Sequence, residues 1–268
     1  NMRKFIFLVV ACFLFQAGVF AQPGWAKNLN GNLNELDSMQ IKECLQFESM
    51  CNFGTITIDS TTDLTRLTLL NLLPDLSLYI NLKTLPKEFA TLELNKVYSL
   101  SLSGNILDDV SNFPKMDSLE DLIIFGFQGD TLLINNEMPN LQRLELKSSY
   151  NLKNIESVTK NDNFEQLVVQ DCNALQLVES SFSELKYLAF LSTKPTGKDF
   201  SDFDNFSSLE QILLRNVDVL ALPDNLPKSL NRIYITDSRV DLEVLNKIKE
   251  MKTMEKIELM NVSLVWEK

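Results

Sequence analysis

The stretch VYSLSLSGNIL, residues 97–107, sets apolar residues at a spacing that recurs along the rest of the chain. Val97, Leu100 and Leu102 give the pattern LxxLxLxx, and Asn105 follows three residues later. Eight other segments carry this spacing, and their second apolar positions are 76, 122, 144, 167, 188, 212, 233 and 257. With position 100 included, the steps are 24, 22, 22, 23, 21, 24, 21 and 24 residues. A period this regular indicates a repeat architecture.

The alternation inside each segment predicts short strands that share one core. Residues two apart in a strand point to the same face, so Leu100 and Leu102 face one way and Ser101 faces the other. A strand of about four residues cannot bury an apolar face alone, whereas copies stacked in parallel about 4.8 Å apart bury a continuous core. The other residues of each period return along the opposite side. The sequence therefore predicts a solenoid.

The segment 97–107 resembles the consensus of the leucine-rich repeat family, LxxLxLxxN/CxL, at Val97, Leu100, Leu102, Asn105 and Leu107. The Leu-Pro pairs at 85–86 and 222–223 match the return segments of that family. The resemblance is to exported bacterial members and covers residues 71–268, in about nine repeats. It implies an α/β solenoid: a right-handed superhelix with a parallel β-ribbon on the concave face and an irregular or short helical convex side.

The same resemblance implies a structural role for the ninth position of each repeat. In the family an Asn or Cys there turns inward and hydrogen-bonds the backbone where the strand ends. The residues at this position are Asn81, Asn105, Phe127, Ser149, Cys172, Thr193, Val217, Ser238 and Val262. The two asparagines match, and Cys172 is an allowed substitute, so we interpret its thiol as structural. The hydroxyl residues could bond in a similar way, and the apolar ones cannot.

The N-terminal residues predict a signal peptide over residues 2–21. Met2, Arg3 and Lys4 begin it, an apolar run from 5 to 15 follows, and small residues precede a cut after Ala21. The run is too short to span a bilayer comfortably, so the protein is not expected to be membrane-spanning. Residues 9–12 are a competing bacterial lipobox, which would place a lipid anchor on Cys12. We expect an exported protein that is secreted, periplasmic or at the cell surface.

Residues 22–70 do not repeat cleanly and are expected to form an N-terminal cap, made of a helix and a strand. A solenoid needs such a cap because its first repeat would otherwise expose an open edge. Cys44 and Cys51 are the local cysteine pair in this segment. On one continuous helix they would lie roughly 10 Å apart along the axis, so a disulfide between them requires the helix to end before Cys51. Whether they pair is left open.

Composition excludes several kinds of chemistry. The chain has no histidine, which excludes Ser-His-Asp and Cys-His catalytic groups and His-ligated zinc or iron. The formal net charge of −11 argues against nucleic acid and anionic membranes as partners, since both need clustered positive charge. The acidic run 199–206 lacks the spacing and glycine of an EF-hand. We expect no enzyme activity, cofactor or metal site, although a carboxylate pair that hydrolyses glycosides stays an open alternative.

The outward residues of the ribbon form the predicted binding surface. Neighbouring strands align these residues in stripes, and an apolar group bordered by charge is typical of a contact surface. The candidate binding residues are Ile123, Phe125, Arg143, Val168, Tyr187, Ala189, Leu191, Leu213, Arg215 and Tyr234. The alternative explanations are a covering loop or the strand preference of such residues.

These features predict a non-enzymatic exported binding module that holds a protein or peptide on the concave ribbon. One alternative is a cell-surface structural protein or adhesin that self-associates through an uncapped C-terminal edge. Another is glycan binding, which stacking aromatic residues beside acids would support. The sequence does not identify the partner.

Overall fold

One parallel sheet runs through the described part of the protein. The computed structural model describes residues 27–46, 51–73, 76–103, 114–134, 138–157, 163–175, 184–193, 206–219 and 226–265. The strands of the sheet are β1 (Lys27–Asn32), β2 (Cys51–Asp59), β3 (Leu76–Asn81), β4 (Val97–Ser103), β5 (Asp121–Phe125), β7 (Arg143–Lys147), β9 (Gln166–Gln170), β10 (Tyr187–Leu191), β11 (Gln211–Arg215), β13 (Arg232–Thr236) and β15 (Lys256–Met260). These eleven strands lie side by side in chain order.

Shorter elements occupy the segments between these strands. Among the described residues two further parallel sheets form, one from β6 (Thr131–Ile134) with β8 (Asn154–Ser157), and one from β12 (Asp218–Val219), β14 (Arg239–Asp241) and β16 (Ser263–Val265). The α-helices are α1 (Ser38–Gln46) and α2 (Leu242–Glu250), and 3₁₀ helices span Leu33–Glu35, Leu64–Leu72 and Lys87–Thr91. A long parallel sheet with few helices among the described residues is compatible with a solenoid-like α/β fold.

The apolar positions of the repeat form one column inside the protein, as predicted. Leu100 pairs with Leu122, Leu122 with Leu144, and Leu144 with Leu167. The column continues through Leu188, Ile212 and Ile233. All of these side chains are buried and belong to one core. A buried leucine contributes roughly 1.5–3 kcal/mol relative to an exposed one, so the column is a large part of the driving force for folding.

The register of the first predicted repeat is wrong by two residues. The predicted frame aligned Leu76 with Leu100, but Leu78 pairs with Leu100 and Leu76 pairs with Val97. Asn81 therefore lies opposite Ser103 as an exposed last residue of β3, and it does not occupy the ninth position. The cause is that residues 76, 78 and 80 are all apolar and all buried, so the alternation fits either frame. Asn105 lies outside the described residues.

The sheet begins before the repeats identified by their spacing. Both β1 and β2 belong to it, and Ile56 of β2 lies opposite Leu78, 22 residues away. Helix α1 lies between β1 and β2 in the chain, and its residues Ile41 and Cys44 are buried. Cys44 is disulfide-bonded, and α1 ends at Gln46, before Cys51, as a bond to that residue requires. The Cys44–Cys51 pairing and the boundary of the cap at residue 70 stay predictions.

A column of left-handed residues ends the strands, and the sequence analysis did not identify it. Its members are Gly126, Ser148, Asp171, Ser192, Asn216, Asp237 and Asn261, with φ between 49° and 69°. Glycine, asparagine and aspartate tolerate this conformation better than other residues. From the first six of these residues the backbone N–H donates to the carbonyl at the end of the next strand, for example Asn216 to Thr236 at 3.0 Å. The turn thus continues the ladder past the last strand residue.

The ninth-position residues satisfy the backbone beside these turns, as predicted for the hydroxyls. Ser149 Oγ accepts from the Phe127 N–H at 3.1 Å, and Thr193 Oγ1 accepts from the Cys172 N–H at 3.3 Å. Ser238 Oγ likewise accepts from the Val217 N–H at 3.2 Å. The Cys172 thiol is free and buried, and it donates to the Gln170 carbonyl at 3.2 Å.

The core is open at its C-terminal end within the described residues. Leu259 of β15 is 40% exposed, whereas the equivalent Ile235 of β13 is fully buried. Met260 and Leu264 are 50% and 44% exposed at the same end. Residues 266–268 lie outside the described residues.

Candidate binding surface

The face of the eleven-stranded sheet turned away from the core carries the predicted binding residues. We call it the ribbon face, and it consists of the residues that alternate with the buried column in each strand. Strand pairing aligns one of its stripes through Ser101, Ile123, Glu145, Val168, Ala189, Leu213, Tyr234 and Glu258. Stripes on either side of this one complete the face. The residue types on the ribbon face, and their exposure, differ from strand to strand.

Hydroxyl side chains cover the ribbon face on β2, β3 and β4. Thr55 Oγ1 donates to Ser77 Oγ at 3.3 Å, and Tyr79 Oη and Ser103 Oγ are 2.7 Å apart. On β4, Ser99 lies opposite Ser77 and Ser101 lies opposite Tyr79. No candidate binding residue lies on these three strands, so they provide a matched polar control surface.

A compact charge cluster occupies β5 and β7. Arg143 Nη2 and Lys147 Nζ lie 2.5 Å and 2.7 Å from the two carboxylate oxygens of the buried Glu145. Arg143 Nη1 is also 3.9 Å from Asp121 Oδ1, and its side chain is only 21% exposed. Burial raises the pKa of the Asp121 carboxyl, and the Arg143 charge opposes that rise. The charge of Arg143 is therefore neutralised within the protein.

Phe125 and Ile123 belong to this cluster rather than to the later strands. The Lys147 ammonium stands over the Phe125 ring, 5.0 Å from its centroid. Strands β7 and β9 separate both residues from β10. Three strand spacings amount to about 14 Å, so Ile123 and Phe125 do not join the apolar group on β10 and β11.

Two candidate residues in the middle of the face are covered. Val168 on β9 is 5% exposed and Ala189 on β10 is 1% exposed. The residues on either side in these strands, such as Gln166 and Tyr187, stay partly exposed. Val168 and Ala189 therefore offer almost no surface to a partner.

The remaining candidates lie together on β10, β11 and β13. Leu213 pairs with Ala189 on one side and Tyr234 on the other, and Leu191 pairs with Arg215. We define the arginine patch as Tyr187, Leu191, Leu213, Arg215, Arg232 and Tyr234. Its four apolar or aromatic members are partly exposed, and its two arginine side chains are 55% and 37% exposed. The structure thus brings together five of the predicted residues that keep accessible surface, with Arg232 as a sixth.

Lys256 borders the patch and was not among the predicted residues. Its ammonium lies 4.9 Å from the centroid of the Tyr234 ring and 2.7 Å from Glu258 Oε2. The hydrogen bond to Glu258 raises the pKa of Lys256. The aligned stripe of Tyr187, Gln211, Arg232 and Lys256 was the sequence signal for this neighbour.

The described residues hold no group of three or more cysteines and carboxylates that could bind a metal ion. The acidic run from 199 to 205 lies outside them. Burial raises the pKa of the Cys172 thiol, which suits its place in the strand-exit hydrogen bonds rather than a reactive role. In the part of the chain that the structure describes, no helix is both long and apolar enough to cross a membrane.

Comparison with protein-family models gives no match, and comparison with curated proteins gives none either. The functional interpretation therefore depends on the repeat pattern and on the arginine patch.

Proposed function

We propose that the chain is an exported, non-enzymatic binding module of the leucine-rich repeat type, whose sheet curves as a right-handed superhelix with an irregular or short helical convex side. It binds a protein or peptide on the ribbon face. The observation that carries this proposal is the arginine patch, because tyrosine and arginine are enriched at interface hot spots and here both keep accessible surface beside partly exposed leucines. Val168 and Ala189 are too buried to contact the partner, and Arg143 lies two strands from β10 and is paired with Glu145.

Selection from a random peptide library displayed on phage tests this proposal. The protein is immobilised, and the selected clones are then tested against Leu213→Glu, which puts a charge in the centre of the patch. Ser101→Glu, on the polar part of the same face, is the matched control. We expect selected clones to lose binding to Leu213→Glu and to retain binding to Ser101→Glu. Clones that bind both variants equally would exclude the patch as the binding surface.

The proposed export has its own test. The full chain, expressed with its first residues in a bacterium, is expected to leave the cytoplasm with Gln22 as its new N-terminus, and mass spectrometry of the cell fractions detects this. Residues 2–21 and Cys12 lie outside the described residues. A lipid on Cys12 would replace the cut after Ala21 and would show as a larger mass.

A structural, self-associating role is the second candidate, because the apolar surface exposed on the last described strands favours it. Among the described residues β15 is the last strand of the large sheet, and Leu259, Met260 and Leu264 leave apolar surface exposed at that end. Light scattering over a concentration series tests this role. Leu264→Lys should reduce any association, whereas Leu133→Lys, at an equally exposed position on β6, should not. A monomer at every concentration would exclude self-association by this end.

Glycan binding stays a prediction. The three aromatic candidates Phe125, Tyr187 and Tyr234 lie on three different strands, β5, β10 and β13. Binding to a glycan array that Tyr187→Ala abolishes would support it.

A further inference from the structure

The charge of the arginine patch has a sign opposite to that of the whole protein. The ribbon residues of β10, β11 and β13 are Tyr187, Ala189, Leu191, Gln211, Leu213, Arg215, Arg232, Tyr234 and Thr236. Two of them are arginines and none is acidic, although the chain has 36 acidic and 25 basic residues. A patch of this charge on an acidic protein favours a negatively charged partner.

Both arginines keep donors available for such a partner. Arg215 Nε is 3.5 Å from Asp237 Oδ2, and Arg232 Nη2 is 3.7 Å from Glu255 Oε2. These distances exceed those of a good N–H···O hydrogen bond. Neither acid lies on a strand of the ribbon face: Asp237 is in the turn directly after β13, and Glu255 directly precedes β15. Arg143 differs, because its contact with the buried Glu145 is 2.5 Å.

The two arginines lie at opposite ends of an apolar pair. Arg215 pairs with Thr236, which is four residues after Arg232 on the next strand. Four residues of strand span about 13 Å and one strand spacing adds about 4.8 Å across, which puts the two Cα atoms about 14 Å apart. Leu213 and Tyr234, paired with each other, stand midway between them.

We propose that the arginine patch binds an extended peptide segment of the form acid-x-apolar-x-acid. In an extended chain the residues i, i+2 and i+4 point to the same side and span about 13 Å, which matches the two arginines and the apolar pair between them. Each carboxylate accepts hydrogen bonds from one guanidinium, and the central side chain packs on Leu213 and Tyr234. This inference rests on the proposed function and names the class of peptide it would take.

Three synthetic peptides of equal length test the proposal by fluorescence anisotropy. The first is Ser-Asp-Ser-Leu-Ser-Asp-Ser with a fluorescent label. The second has both Asp residues replaced by Asn. The third, Ser-Ser-Asp-Leu-Asp-Ser-Ser, has the same composition and charge but turns both carboxylates away from the leucine side. We expect the first to bind at least about tenfold more tightly than either control, since a hydrogen bond to a charged group is worth that much.

Variants of the protein locate the binding. Arg215→Gln and Arg232→Gln should each weaken binding of the first peptide about tenfold. Lys153→Gln, at an exposed lysine away from the ribbon strands, should leave it unchanged. Arg215 is exposed and Arg232 is partly exposed, so the variants are expected to fold, which circular dichroism verifies.

The outcomes separate this inference from the proposed function. Equal binding of the first and third peptides, or insensitivity to both arginine variants, would overturn the motif. If none of the three peptides binds while library clones still depend on Leu213, the motif is wrong and the ribbon-face function stands. If no clone depends on Leu213, the proposed function fails and the motif fails with it.

Discussion

Thr193 is the clearest place to perturb the strand-exit hydrogen bonds. Its Oγ1 accepts from the Cys172 N–H at 3.3 Å and donates to the Leu191 carbonyl at 3.2 Å. Both Thr193 and Cys172 are buried. Thr193→Val keeps the shape of the side chain but removes the acceptor, so the Cys172 N–H loses its partner. Because the site is buried, water cannot easily replace the lost hydroxyl.

The magnitude follows from these contacts. A buried donor left without a partner costs about 1–3 kcal/mol. The methyl group that replaces the hydroxyl recovers about 0.8 kcal/mol through burial. We therefore expect the free energy of unfolding to fall by about 0.2–2.2 kcal/mol, with about 1 kcal/mol at the centre of that range. In a solenoid, stability depends on contacts between neighbouring repeats. The free energy of local opening around Cys172 should therefore fall along with the global free energy of unfolding.

Urea unfolding followed by circular dichroism measures the global loss, and native-state hydrogen exchange at the Cys172 amide measures the local one. An opening free energy lower by 1 kcal/mol speeds exchange about fivefold. Thr236→Val, at a half-exposed threonine on the ribbon face, is the control and should change stability by less than about 0.5 kcal/mol. If Thr193→Val matches this control and exchange at Cys172 is unchanged, the hydrogen bond does not stabilise the strand exit.

Three further predictions concern single residues. Asn216→Val should lower the free energy of unfolding by about 1–2 kcal/mol, because a β-branched residue resists the left-handed φ of 53°. Asn216→Gly should not lower it, since glycine adopts this φ freely. Equal urea midpoints for the two variants would contradict this. Asp121 has a pKa raised by burial in the folded state, so its contribution to stability is present in acid and is lost as the pH rises through that pKa. Asp121→Asn removes this titrating group. The difference in thermal unfolding midpoint, variant minus wild type, should therefore be more positive at pH 7 than in acid, and a difference that does not change with pH would refute the reasoning. The buried Cys172 thiol should react with Ellman's reagent only after unfolding in urea, and fast reaction of the native protein would contradict its structural role.

The repeat spacing was sufficient to predict the parallel sheet and its core. Leu100, Leu122, Leu144 and Leu167 share one column because apolar residues two apart must face the same side of a strand, and the period then brings each strand beside the next. The register of β3 could not be predicted in the same way, because strict alternation over residues 76 to 80 fits two frames.

The candidate surface was only partly predictable, because accessibility depends on side-chain lengths in neighbouring strands. Val168 and Ala189 are short and lie in the middle of the face, where longer side chains stand on both sides. The neutralisation of Arg143 depends on the conformation that places it against Glu145, which a residue pattern does not specify. The left-handed column does have a sequence signal, since glycine, serine, aspartate and asparagine recur one residue before the ninth position.

Electron–electron distances between spin labels on the central stripe would test directly whether the strands stack in chain order. With one label at position 101 on β4, a second at 213 on β11 is five strand spacings away, and one at 258 on β15 is seven away. The corresponding separations along the sheet are about 24 Å and about 34 Å. We expect the second pair to be the longer by about 10 Å, less any shortening by curvature of the sheet. Equal distances for the two pairs, or a shorter one to position 258, would mean that the repeats do not share one continuous core.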